Sequence, residues 1–290
     1  MKSLLLTGCV VASLAAVSTV QAETIFGLST ANSIFSFDSA LPAVTTAPVT
    51  ITGLSSGTII DIDFSPVAQA LFGIASTGDF YRINTATGAA TLSIGIGAQL
   101  PANTITTPTA IDFNPAADRL RVFQGTSTFR LTGDASTFDS VQTAGTVSTD
   151  GTFTGVAGAN LVAAAYTNNF NGTGGTTLYS LDTASDSLII HSVGPQFATI
   201  AAVGLLGVNI GTGVGFDISG TQGATTGFVS NDDLFYTVSL AGGGLTPIGT
   251  IGNGALTTKS IAAVTVVPEP ATALLCGLGL LGLVSRRRKA

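Results

Sequence analysis

The sequence predicts an all-β protein: a five-bladed β-propeller closed by its N- and C-terminal strands, with a C-terminal transmembrane helix. Three observations predict it. A strand-patterned segment recurs five times, a second motif interleaves with it, and an uncharged stretch precedes a basic C-terminus.

The recurring segments are Ile34-Phe35-Ser36-Phe37-Asp38, Phe80-Tyr81-Arg82-Ile83-Asn84, Thr128-Phe129-Arg130-Leu131-Thr132, Leu178-Tyr179-Ser180-Leu181-Asp182 and Phe235-Tyr236-Thr237-Val238-Ser239. Their alternation is that of a β-strand, and the aromatics at 35, 81, 129, 179 and 236 set a period near 50 residues. The second series is Ile62-Asp63-Phe64-Ser65-Pro66 and Ile111-Asp112-Phe113-Asn114-Pro115, with Phe216-Asp217-Ile218-Ser219 as a looser copy. Leu71 and Leu120 each follow five residues after the proline.

Taken in order, Met1-Lys2, the apolar run Leu4 to Val20 and Val20-Gln21-Ala22 read as a signal peptide over 1–22, cleaved after Ala22. A lipoprotein reading at Leu6-Thr7-Gly8-Cys9 leaves too short an apolar region before the cut. Residues 23–267 form the propeller domain. One blade reads as Ile59–Phe64, Ala70–Ala75, Phe80–Asn84 and Ala90–Ile94, four strands per period. Thr24–Leu28, Ser33–Asp38 and Val44–Ile51 lack a first strand, and Ser260–Val266 supplies it. Joining them closes the ring and hides exposed sheet edges. A β-sandwich would leave the aromatic register unexplained.

Residues 268–290 run Pro268-Glu269-Pro270, then uncharged from Ala271 to Val284, then Arg286-Arg287-Arg288-Lys289. A helix over 271–284 spans about 21 Å, short of a hydrocarbon core of roughly 30 Å. The basic cluster would stay cytoplasmic, leaving the domain outside. Pro268 and Pro270 keep Glu269 on an extended approach. This pattern resembles the PEP-CTERM sorting signal of exported proteins of Gram-negative bacteria. The resemblance implies that Pro268, Glu269, Pro270, Arg286, Arg287 and Arg288 are read by exosortase, a membrane-embedded cysteine transpeptidase. The repeats are also similar to a secreted, propeller-like bacterial family of unknown function, which implies no activity.

Composition narrows the chemistry. Both cysteines, Cys9 and Cys276, fall in the leader and the tail, so the domain has no disulfide, cysteine nucleophile or thiolate metal site. Between Glu23 and Val267, 14 Asp and one Glu face four Arg and one Lys, a formal charge of −10 that repels nucleic acid. The repeated aromatics read as core between blades rather than a sugar-stacking platform. Asp63, Asp112 and Asp217 read first as turn-fixing residues; on innermost strands they could instead converge on the channel and hold Ca²⁺. Asp61, on the same strand face as Asp63, and the pair Asp232-Asp233 are not diagnostic. His191, the sole histidine, reads as outward-facing on a strand. Gly207, Gly211, Gly213 and Gly215 suggest a strand with one bare face, open to a neighbouring backbone. Asn168 to Gly175 reads as an exposed, mobile loop.

The expectation is therefore a non-enzymatic exported protein with no catalytic residue, metal or cofactor assigned. Its partners would be the Sec translocon, signal peptidase, exosortase, the inner membrane through the C-terminal helix and an extracellular polysaccharide, with no nucleic acid. Before processing it would be anchored by that helix; afterwards it would lie at the cell surface or in the matrix. The alternatives are a secreted polysaccharide-cleaving enzyme using channel aspartates, and a calcium-stabilised adhesion module.

Overall fold

A computed structural model describes residues 22–95, 109–133, 145–192, 194, 196–221 and 224–264. The leader through residue 21, the sorting residues, the helix over 271–284 and both cysteines lie outside the described residues. Among the described residues no helix is long and apolar enough to cross a membrane.

In chain order the first strands are β1 (Thr24–Ser29), β2 (Ser33–Asp38), β3 (Leu41–Thr45) and β4 (Val49–Thr50). The next group is β5 (Ile59–Ser65), β6 (Ala70–Ala75), β7 (Asp79–Ile83) and β8 (Ala90–Gly95). Then follow β9 (Thr109–Asn114), β10 (Arg119–Gln124), β11 (Ser127–Gly133) and β12 (Gly145–Thr152). The fourth group is β13 (Leu161–Tyr166), β14 (Leu178–Asp182), β15 (Ser187–His191) and β16 (Ile200–Leu205). The last is β17 (Val214–Thr221), β18 (Ala224–Asn231), β19 (Leu234–Val238) and β20 (Leu245–Thr250), before β21 (Thr258–Ala263).

Each middle group forms an antiparallel four-stranded sheet in sequence order, while β21 pairs with β1 ahead of β2 and β3. The chain is thus the five-bladed propeller its repeat predicts, closed by its first and last described strands. The innermost strands touch in a ring: β5 with β9, β9 with β13, β13 with β17, β17 with β21 and β21 with β5.

Blades are glued by apolar side chains that their strands present on both faces. Every residue of β6 and of β13 is buried, because neighbouring blades cover each sheet on either side. Phe72 stacks on Phe80 at 5.2 Å and meets Phe113 of the next blade edge-on at 5.3 Å, joining two sheets in one cluster. Each such ring stabilises by about 1.5–3 kcal/mol through burial alone. The register aromatics behave as core: Phe35, Tyr81, Phe129 and Tyr236 are buried, and Tyr179 packs partly buried against its cluster.

One strand differs from expectation. The segment Val44–Ile51 does not run unbroken; β3 and β4 pair separately with opposite ends of β2. Pro48 lies in the gap, where it lacks the N–H that a continuous ladder would need.

Candidate functional site

The innermost strand of each blade has one edge paired within its sheet and one edge facing the channel. Backbone N–H groups on that free edge need acceptors. The repeated aspartates supply them. Asp63 on β5 accepts from Phe64 N at 2.7 Å through Oδ1, and from Phe113 N of β9 at 2.6 Å through Oδ2. Asp217 on β17 repeats the arrangement with Ile218 N at 2.6 Å and Ala263 N of β21 at 2.5 Å. Asp112 on β9 accepts from Tyr166 N of β13 at 3.1 Å. Asp61 accepts from Ile62 N and from Ile111 N of β9, and Ser260 Oγ of β21 donates to it at 2.5 Å.

These side chains therefore do not fix turns, as the serines, asparagine and prolines that follow Asp63, Asp112 and Asp217 suggest. They lie within strands and tie each blade to the next at the β5/β9, β9/β13, β17/β21 and β21/β5 junctions. At the β13/β17 junction the contact is apolar: Ala163 and Ala165 pack in one cluster with Val214, Phe216 and Ile218. Close approach also matters beside Asp217. A Cβ on Gly215 would sit 2.6 Å from Ile261 N, so this position admits the backbone of β21 only while it is glycine. That is the neighbouring backbone the glycine series suggests; Gly207, Gly211 and Gly213, however, precede β17 rather than lying in a strand.

Asp63, Asp112 and Asp217 are buried and converge, each bringing a carboxylate oxygen within 4.8 Å of the others. Burial pushes the Asp217 carboxyl up to about 7 against the pull of the Ala263 and Ile218 N–H groups. Asp63 is raised well above the usual carboxylate range by burial and then by the charge of Asp217. Asp112 is raised likewise, by burial and then by Asp63. Burial also lifts Asp61 to about 7, and it lowers the ammonium of half-buried Lys259, which the charge of Asp61 pulls the other way. Half-buried Glu23 rises to about 7, through burial and then Asp217. Three oxygens so placed could hold a cation or share protons. The backbone donors on both oxygens of Asp63 and of Asp217 leave fewer lone pairs for a cation and pull toward the charged form. Burial and, for Asp63, the neighbouring carboxyls push toward bound protons.

His191 is not outward-facing. The pattern of β15 is buried at His191 as at Leu188 and Ile189, since Phe123 of the preceding blade covers the ring. Its Nε2 pairs with Ser180 Oγ at 2.8 Å and its Nδ1 with Phe197 O at 2.7 Å. Phe123 stacks on the ring and Phe153 meets it edge-on. Burial lowers its pKa to about 4, so it stays neutral near pH 7. Asp232 and Asp233 form the turn before β19, where Asp232 O accepts from Thr258 N. Asn168 and Thr173 bond to Gly175 O within their loop, in which Asn169 is buried.

Sequence reasoning missed a second constellation. Arg121 on β10 is buried, and its Nη1 donates to Asp150, to Thr128 Oγ1 and to Gln196 O. Its Nε donates to the Tyr166 hydroxyl at 3.1 Å, and its guanidinium lies 5.2 Å from the Phe197 ring centroid. Arg130 Nε reaches both oxygens of Asp150, at 2.9 and 2.7 Å. The signal was present in the repeat: Arg121 stands where the preceding blade has Phe72.

A model of a domain of unknown function (DUF4394) matches residues 33–262. A model of the PEP-CTERM protein-sorting motif matches residues 266–289. No curated protein matches. Among solved structures, a candidate 6-phosphogluconolactonase from Bacteroides uniformis is 11% identical with TM-score 0.41, over 80% of this chain and 83% of that one. YCF48 bound to D1 peptide is 10% identical with TM-score 0.36, over 83% and 76%. The extracellular domain of a candidate hybrid two component system from B. thetaiotaomicron is 8% identical with TM-score 0.36; 81% of this chain aligns with 29% of it.

Proposed function

The chain belongs to the family of the domain of unknown function DUF4394, and from that premise we propose that it is a non-enzymatic binding scaffold displayed outside the cell. Its PEP-CTERM motif marks it as an exported protein targeted to exosortase. In this reading the leader is removed after Ala22, the helix over 271–284 holds the domain on the outer side of the inner membrane, and processing at the Pro268-Glu269-Pro270 segment passes it to the surface or matrix.

One observation carries the non-enzymatic part. The carboxylates best placed for acid–base work are engaged as ties between blades, with Asp63 and Asp217 each using both oxygens on backbone N–H groups. A glycosidase needs one carboxyl free to give a proton and another free to attack or to activate water.

The test expresses the native chain and a Glu269→Ala version in a host that makes exosortase, with the host's extracellular polysaccharide as substrate. The expected result is a shortened native product outside the inner membrane, an unshortened variant retained in it, and unchanged polymer length. Equal retention of both chains would overturn the sorting reading; a fall in polymer length would overturn the non-enzymatic one.

A further inference from the structure

The exported stretch is acidic, yet three of its four arginines, Arg119, Arg121 and Arg130, line one pocket of about 430 Å³. The pocket lies between the blades β9–β12 and β13–β16. Tyr166, Phe197 and Arg121 are its buried members, while exposed Ala116 and Ala117, with Thr176, lie toward solvent. None of the lining residues among the described ones is acidic. Asp150, which bridges Arg121 and Arg130, is buried and is not among them. Asp150 is the one carboxylate seen paired with any of the three guanidiniums among the described residues, which leaves the pocket positive.

Two of the three retain donors. Arg130 uses only Nε on Asp150, and its two Nη groups make no hydrogen bond among the described residues. The side chain of half-buried Arg119 makes neither a hydrogen bond nor an ion pair among the described residues. The repeat does not call for these charges. In the sister blade the positions of Arg119 and Arg121 hold Ala70 and Phe72, facing Ser65 and Asp63 in the same register that places Arg119 and Arg121 opposite Asn114 and Asp112. Only Arg130 has a basic counterpart there, Arg82.

We propose that this pocket is a binding site for a small carboxylate with a neutral hydroxylated body, such as a uronic acid residue of a polysaccharide. A guanidinium fork matches the two oxygens of a carboxylate, and the uncharged remainder of the lining gives room for a sugar-sized body. Asn114 and Thr176 add polar groups suited to hydroxyls. The proposal gives a ligand class to the scaffold role above and rests on that role only for the polymeric source of the ligand.

Calorimetric titration of the full chain in detergent with galacturonate, galactose and inorganic phosphate tests it. Galacturonate binds saturably, and galactose and phosphate bind about tenfold more weakly or worse, since each lacks half of the match. Arg119→Gln weakens galacturonate by about tenfold with an unchanged melting temperature, because Arg119 holds nothing else in place. Arg82→Gln, at the sister blade, changes nothing. Galactose or phosphate binding as tightly as galacturonate, no galacturonate binding, or full binding by Arg119→Gln would overturn the proposal. Polymer cleavage would defeat the non-enzymatic reading and leave this binding result standing.

Discussion

The blades β5–β8 and β9–β12 are built on one repeat and part company at a single cross-strand position. In the first, Asp63 faces Phe72, which disappears into a dry cluster with Phe80 and Phe113. In the second, Asp112 faces Arg121, whose charge is held by Asp150 and whose Nε reaches Tyr166 in the next blade. The ties between inner strands are the same in kind, so the ring does not need the arginine. A repeat kept only for architecture would keep the phenylalanine, which is why the departure points to binding.

The largest effect expected from breaking this comparison comes from Arg121→Leu. It strips Asp150 of its buried partner, leaving only the more exposed Arg130, and should cost about 3–5 kcal/mol in denaturant unfolding. Adding Asp150→Leu should recover a large part of that loss, because two apolar side chains replace a buried pair at little net cost. A double variant no more stable than the single one would mean that the pair is not what holds this blade.

A smaller effect sharpens the other half of the comparison, the carboxylates the blades share. Asp217 has a folded-state pKa of about 7, above its unfolded value, so the folded chain binds the extra proton. Its contribution to stability is therefore full below the unfolded pKa and is lost as pH rises through about 7. His191 has the opposite sign, but its lowered pKa of about 4 confines its effect to the range below the ordinary histidine value. Between roughly pH 8 and 6.5 the raised carboxyls, Glu23 among them, all act in one direction, so stability should rise as pH falls, by up to about 1.4 kcal/mol per pH unit for Asp217, and the melting temperature with it. A flat profile there would contradict the shared-proton reading. Least of all, added Ca²⁺ and a chelator should leave the melting temperature unchanged at pH 7.5; a clear rise with Ca²⁺ would assign the cluster to a cation instead.

Much of this was legible in the chain. The aromatic register located one strand of each blade, the third in four of them and the second in β13–β16, because alternation and a steady period survive tertiary packing. The missing strands at the two ends predicted the closure between β21 and β1. What alternation could not say is which face of a strand meets a neighbour. Asp63 and Asp112 beside Pro66 and Pro115 look like turn residues until the free edge of an inner strand supplies the N–H groups they accept. His191 looked outward because a strand in the middle of a blade is covered on both sides, which a single strand's pattern does not reveal. Arg121 was readable as a departure from Phe72, but its partner Asp150 lies in a strand outside the repeated motifs.

The central claim is that carboxylates stitch the free edges of the inner strands together. Residue-resolved amide hydrogen exchange on the native chain and on Asp217→Ala tests it directly. The account predicts that Ala263 N–H is as slow to exchange as the amides paired within the sheets, and that Asp217→Ala speeds Ala263 and Ile218 selectively while Phe113, held by Asp63, stays slow. Fast exchange at Ala263 in the native chain, or protection that persists in the variant, would contradict it.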